Sequence, residues 1–126
     1  TFHDPVPYAE LTRFMARADV CLGIFGDNDR ASLVLTNKVI EAIGMGKPLI
    51  TRRNEPVQEL LQHGESVYLV PPADPQAIAD AVLALKNDPA LRERIARQGH
   101  QIFQQHCTMD RFGAAFKAIV QEAVDA

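Results

Sequence analysis

Apolar positions along this chain follow two rhythms. Leu11, Phe14, Met15 and Ala18 fall three and four apart, which predicts a helix over Tyr8–Ala18 with Pro7 suited to its first turn. After Asp19, the run Val20-Cys21-Leu22-Gly23-Ile24-Phe25 is continuously apolar, as in a strand buried on both faces. Gly26-Asp27-Asn28-Asp29 reads as a loop, because glycine and Asx residues tolerate turn conformations. The helical rhythm then returns at Leu35, Val39, Ala42 and Ile43, predicting one continuous helix over Ala31–Met45. Pro48–Thr51 is the next strand, Glu55–His63 a short helix that Gly64 ends, and Val67-Tyr68-Leu69-Val70 a further buried strand stopped by Pro71-Pro72.

Beyond that point only the helical rhythm remains. Asp74-Pro75 and Asp88-Pro89 each pair an N-cap acceptor with a proline at the first helical position. The first opens a helix burying Ile78, Val82 and Leu85, and the second a helix running to about His106. Thr108 can cap a last helix that holds Phe112, Phe116, Ile119 and Val120. Helices alternating with short apolar strands imply parallel pairing, right-handed crossovers and helices on both faces. The expected fold class is therefore α/β: a doubly wound, Rossmann-like parallel sheet, small, with a helical C-terminal segment. Three strands are clear, and the stub around Phe2 and His3 is a candidate fourth. The start at Thr1 and the small sheet lead to the expectation that residues 1–126 are a single domain belonging to a longer protein.

Composition narrows this picture only a little. The 126 residues carry 47% hydrophobic and 23% charged residues, ordinary for a soluble globular chain that can bury a real core. A formal charge of −3 offers no electrostatic footprint for nucleic acid, so no nucleic-acid partner is expected. No apolar run approaches membrane-span length, and no signal pattern opens the chain. Cys21 and Cys107 have no framework spacing and read as reduced thiols of a cytoplasmic protein. His3, His63, His100 and His106 are dispersed, so no metal site is expected. Arg92, Glu93, Arg94 and Arg97 read as a solvated helix face.

Two places could carry chemistry. Gly23–Asp29 follows a strand and precedes a helix, where an α/β sheet binds anions through unpaired N–H groups and the positive end of the helix dipole. Candidate donors are the amides near Arg30-Ala31-Ser32-Leu33, with the Ser32 hydroxyl and the Arg30 guanidinium. The spacing is neither G-x-G-x-x-G nor a Walker loop, and from position alone a polar, mobile connection with Asp29 capping the helix is the favoured reading. Lys38 and Glu41, three apart, share a helix face. They could form a surface ion pair of a few tenths of a kcal/mol. Alternatively, the carboxylate of Glu41 could accept two hydrogen bonds from a vicinal diol such as a ribose.

Several phrases together resemble the C-terminal domain of the group-1 (family-4) retaining glycosyltransferases of GT-B fold. They are Ala18-Asp19-Val20, then Glu41-Ala42-Ile43-Gly44-Met45-Gly46-Lys47-Pro48-Leu49-Ile50, then Pro56–Gly64 and Leu69–Asp74, in the family's order across nearly the whole chain. The resemblance implies that Glu41 is the second glutamate of the E-x7-E element, which binds the ribose of the donor nucleotide. Lys38 matches the lysine of a K-x-x-E subgroup. The preceding loop and helix start, including Gly26, Asp27, Ser32, Leu33 and Val34, match the region that holds the donor diphosphate and sugar. Thr51 and Arg52, within Thr51–Asn54, would line the crevice near base or sugar. No cofactor is implied, and no metal at the transfer step.

Two departures stand out. Leu33 occupies the place of the first glutamate, and the longer loop puts Asp27 or Asp29 where sugar contacts are made. The basic diphosphate clamp and the acceptor domain of the family are absent from these residues, so no catalytic residue is assigned and the piece alone is expected to be inactive. The implied partners are a nucleotide-diphosphate sugar and, through the missing N-terminal domain, an acceptor saccharide or lipid. The parent would be cytoplasmic, with association at the inner membrane face left open. The rival expectation is a non-catalytic α/β module for interaction or regulation that keeps the fold without the site. A phospho-receiver domain fits poorly, because the later strands end at Thr51 and Val70 rather than in an acidic cluster.

Overall fold

The computed structural model describes residues 2–126. Its sheet has three parallel strands in the order β1-β2-β3: β1 (Cys21–Leu22), β2 (Leu49–Arg52) and β3 (Tyr68–Val70). The apolar run after Asp19 is regular strand for two residues only. It nevertheless stays hydrogen-bonded to its neighbour, with Gly23 N–H donating to the Ile50 carbonyl at 2.9 Å and Arg52 N–H to that of Ile24 at 2.9 Å. Among the described residues no fourth strand forms near Phe2 and His3, and Thr1 lies outside them.

The described residues form seven α-helices: α1 (Tyr8–Arg17), α2 (Asp29–Ser32), α3 (Asn37–Gly44), α4 (Glu55–Leu60), α5 (Pro75–Asn87), α6 (Pro89–Ile102) and α7 (Met109–Asp125). A π-helical turn, Phe103–Cys107, joins α6 to the approach of α7. The strands divide their side chains between two cores, as alternation requires. Leu49 and Leu69 pack with Val39, Ala42 and Ile43 of α3 and Val57 of α4. Ile50 and Val70 pack on the other face with Ala81 and Leu85 of α5 and Ile95 of α6. Both faces are covered, and the doubly wound expectation holds.

Helix α2 is capped by Asn28, which accepts from Ala31 N–H at 2.9 Å, rather than by Asp29, which is its first residue; three other cap residues act where the sequence places them. Asp74 accepts from Ala77 N–H at 2.9 Å, Asp88 from Leu91 N–H at 2.9 Å, and Thr108 from Arg111 N–H at 3.3 Å. Helix α3 ends in a Schellman motif: Gly46, at φ 63°, sits at C′ and donates to Ile43, while Lys47 N–H donates to Ala42. The glycine–lysine–proline corner is thus a helix stop and a strand start.

Three helices differ from expectation. Helix α5 buries Ala81 and Leu85 but leaves Val82 38% exposed, off the face it was expected to share. Helix α4 stops at Leu60, not His63, because Leu61 turns extended (φ −124°, ψ 145°) to bury its side chain, and His63 bridges to Val67 instead. The single helix predicted over Ala31–Met45 is two helices with a break at residues 33–36. Asn54 causes that break: its Nδ2 donates to the Ala31 and Val34 carbonyls, both at 2.9 Å, so the Ala31–Val34 backbone is bonded outward rather than along a helix. Helix α7 buries none of its residues, leaving Phe112, Phe116 and Ile119 exposed. No described helix is long and apolar enough to cross a membrane.

Candidate functional site

The break moves the helix terminus that matters. With the chain turning at residues 33–36, a second helix, α3, starts at Asn37, and its N-cap is Thr36 in extended conformation (φ −80°, ψ 156°). Val39 N–H donates to the Thr36 carbonyl at 3.0 Å, which leaves the Asn37 and Lys38 N–H groups of the first turn without intrahelical partners, and the dipole places positive potential there. Thr36 makes no side-chain cap bond, and its Oγ1 is a buried side-chain polar atom without a partner among the described residues. Such an orphan hydroxyl costs free energy unless something outside the chain satisfies it.

In front of this terminus lies a hollow of about 430 Å³, lined by Gly23, Gly26, Arg30, Val34, Thr36 and Lys38, among others. It holds two cationic side chains and no carboxylate. Its floor is fixed by interactions that reach across the sequence. The Arg52 guanidinium donates to the Gly26 carbonyl and, through Nε, to its neighbour Arg53 at 3.2 Å. Gly23 lies so close to Thr51 that a Cβ there would stand 2.4 Å from the threonine hydroxyl. The Thr51 hydroxyl itself pairs with both N–H and C=O of Ile24 at 3.3 Å.

Lys38 also lines a second hollow of about 350 Å³, walled by Phe14, Val20 and Leu22 and shared with Glu41. Glu41 lines a third as well, of about 250 Å³, with Tyr8, Met15 and Phe103. The Tyr8 hydroxyl donates to Glu41 Oε1 at 3.0 Å, and the phenol's pKa is raised, first by that hydrogen bond and then by the carboxylate's charge. Lys38 and Glu41 form no ion pair; among the described residues the one ion pair is Arg94–Glu65, at 3.7 Å. Lys38 is exposed and Glu41, held by Tyr8, is half-buried; both line the same hollow along one edge of α3. The largest hollow, about 790 Å³, lies elsewhere, beside α4 and α6, with Arg53, Glu59, His63 and Glu65 mixing both charges in its lining.

Of the candidates named from sequence, Gly26, Val34 and Lys38 meet in one hollow, and Lys38 and Glu41 in the next. Asp27 is exposed and lines neither. Ser32 spends its hydroxyl inside α2, donating to Asp29 at 2.6 Å. Leu33 points to solvent at 74% exposure, outside both hollows. Thr51 and Arg52, expected to line the crevice, are buried at 0% and 6% exposure and act as ties between strand ends. They turn inward because β2 is the central strand, covered on both faces. The break likewise puts a second helix start, that of α3, beside the hollow, downstream of the Ser32–Val34 amides.

Thr36 was missed, although its signal was present: a threonine directly before the periodic run Val39, Ala42, Ile43 is an N-cap pattern. Leu35 hid it by extending the apolar rhythm one turn upstream. Tyr8 had no sequence signal, since its partner lies 33 residues away.

A family model described as "Glycosyl transferase-like" matches residues 1–118. The phosphatidyl-myo-inositol mannosyltransferase of Mycobacterium leprae (strain TN) is 32% identical over 68 residues, 54% of this chain and 18% of that protein. Sucrose-phosphate synthase (tll1590) from Thermosynechococcus elongatus superposes with a TM-score of 0.80 at 22% identity, over 99% of this chain and 30% of that one. Anabaena Alr3699/HepE, solved in complex with UDP-glucose, superposes with a TM-score of 0.77 at 19% identity, over 87% of this chain and 29% of that one. The chain thus spans less than a third of the length of each of these three.

Proposed function

This chain belongs to the group-1 glycosyltransferase family, with the Rossmann-like fold of a GT-B domain, and from that premise we propose that it binds the nucleotide-diphosphate part of a sugar donor for a retaining transferase. The observation that carries the reading is the hollow before α3, which presents a helix N-terminus, an unpaired Thr36 hydroxyl, Arg30 and Lys38, and no carboxylate. That donor set fits an anion of high charge density.

In this reading the diphosphate sits before the first turn of α3, where backbone N–H groups and Lys38 stabilise charge that grows as the glycosidic bond to phosphate breaks. The donor set supplies positive potential from backbone and side chains, so the reading includes no resident metal and no cofactor. Glu41, one turn further along the same edge, accepts hydrogen bonds from the ribose diol. The apolar wall of Phe14, Val20 and Leu22 borders the space beside it. The solved neighbour with UDP-glucose supports a nucleoside-diphosphate sugar as the donor class. Transfer to a hydroxyl acceptor, saccharide or lipid, uses residues beyond these, and the setting is cytoplasmic, at or near the inner membrane face.

Calorimetric titration with UDP, GDP and ADP tests this directly. One of the three binds the chain, and Glu41→Ala weakens that binding about tenfold or more, as loss of hydrogen bonds to a charged group costs roughly 1.5–3 kcal/mol. Lys38→Met weakens it as well. Unchanged affinity in Glu41→Ala refutes the ribose role. Three flat titrations favour a non-catalytic module that retains the fold, with exposed Leu33 in place of the first glutamate.

A further inference from the structure

Glu41 lies between two hollows, and only one can receive a ribose while the other holds whatever orients the carboxylate. Tyr8 lines the smaller hollow and not the larger; Lys38 lines the larger and not the smaller. The phenol therefore reaches Glu41 from the side away from Lys38 and the α3 terminus. Its hydroxyl donates to Oε1 at 3.0 Å, and no other hydrogen bond to the Glu41 side chain forms among the described residues. A carboxylate accepts about four hydrogen bonds, so one phenol leaves it able to take a diol on the opposite side.

We propose that Tyr8 is a positioning residue for the nucleotide site: its hydroxyl fixes the Glu41 carboxylate so that the remaining acceptor sites face the Lys38 side, where the ribose of a nucleoside diphosphate binds. This rests on the donor-binding reading above and adds a specific second residue to it. Three features make the arrangement workable. Tyr8 is the first residue of α1 and stays 73% exposed, so its ring is free of the core and serves no packing role that would explain it. The other end of α1 is anchored independently, with Lys47 Nζ donating to the Ala16 and Ala18 carbonyls at 2.7 and 3.0 Å. An O–H···O⁻ bond is charge-assisted and directional, so it selects one orientation of a carboxylate that solvent would otherwise leave free to rotate.

A double-mutant cycle on the 126-residue chain reads this out, with UDP, GDP and ADP titrated calorimetrically into wild type, Tyr8→Phe, Glu41→Ala and the double variant. Tyr8→Phe keeps the ring and removes only the hydroxyl. The expected result is a three- to tenfold weaker Kd in Tyr8→Phe, roughly the range of coupling between directly bonded neighbours, and no further loss when the same change is made in Glu41→Ala. A merely structural role for Tyr8 would weaken binding by the same factor in both backgrounds, and that outcome overturns the proposal. So does unchanged or tighter binding in Tyr8→Phe, which would make the phenol a bystander or a competitor of the ribose. If Glu41→Ala alone leaves the affinity unchanged, or wild type binds none of the three, it is the donor-binding reading that fails, and the positioning role falls with it.

Discussion

Asn54 holds together the elements on which the site depends, and its replacement puts the reasoning at most risk. The residue is 6% exposed and makes three hydrogen bonds with its short side chain. Oδ1 accepts from Val57 N–H at 3.0 Å and so caps α4; Nδ2 donates to Ala31 and Val34 at 2.9 Å each and so sets the break before α3. Loss of an N-cap costs about 0.5–2 kcal/mol. Each bond to a carbonyl contributes about 0.5–1.5 kcal/mol net. Asn54→Ala should therefore destabilise the chain by about 2–4 kcal/mol, which for a domain of this size lowers Tm by roughly 10 °C. Chemical and thermal denaturation followed by circular dichroism measure both. Asn54→Asp separates the two jobs: it keeps the cap acceptor, favourable at a helix N-terminus, and loses both donations to the break. It should stay about 1–3 kcal/mol below wild type. If Asn54→Asp is as stable as wild type, the bonds to Ala31 and Val34 contribute nothing, and Asn54 is not what separates α2 from α3.

Three further outcomes follow from other contacts. Gly23→Ala should destabilise by about 1–3 kcal/mol, as overpacking does, because its Cβ would stand 2.4 and 2.7 Å from Thr51 Oγ1 and Cβ; a melting curve within 1 °C of wild type would show that the strand pair gives way freely. Lys47→Met, which removes the donor to Ala16 and Ala18, should cost about 1–2 kcal/mol and speed amide exchange in α1 more than in α5; equal exchange would show that α1 is held otherwise. His63 has its pKa lowered, first by burial and then by the Arg53 charge, and its neutral Nδ1 accepts from Leu69 N–H at 2.9 Å. The unfolded chain then binds the proton more readily, so His63 makes stability fall as pH drops through 6.5 toward the lower folded value. Denaturation midpoints between pH 5 and 7 should show this fall in wild type and less of it in His63→Gln, and identical profiles would contradict it.

Local chemistry made much of the fold legible. Asp74-Pro75, Asp88-Pro89 and Thr108 announce helix starts because a short acceptor beside a free N–H needs nothing distant. Continuous apolar runs announce β2 and β3, covered on both faces, but overstate β1, where Leu22 stays 51% exposed at the sheet edge. Lys38 and Glu41 share a face of one helix at any tertiary arrangement, since helical periodicity fixes that.

The remaining features arise from residues far apart in sequence. Leu35 fits the period of the helix that follows it, so nothing local predicts a break at residues 33–36; Asn54, 20 residues beyond Val34, takes the carbonyl that a continuous helix would have used. Thr51 and Arg52 read as crevice residues at a strand end, yet the central place of β2 buries them and turns their polar groups onto Ile24 and Gly26. The same break puts the start of α3, with Thr36 at its N-cap, beside the hollow that Val34 and Lys38 line. Sequence alone therefore determined that Glu41 shares a helix face with Lys38 and that this helix leads into an apolar strand. Only the tertiary structure decided that Tyr8 holds one of its oxygens, because a hydrogen bond across 33 residues depends on how α1 packs and leaves no mark in the local pattern.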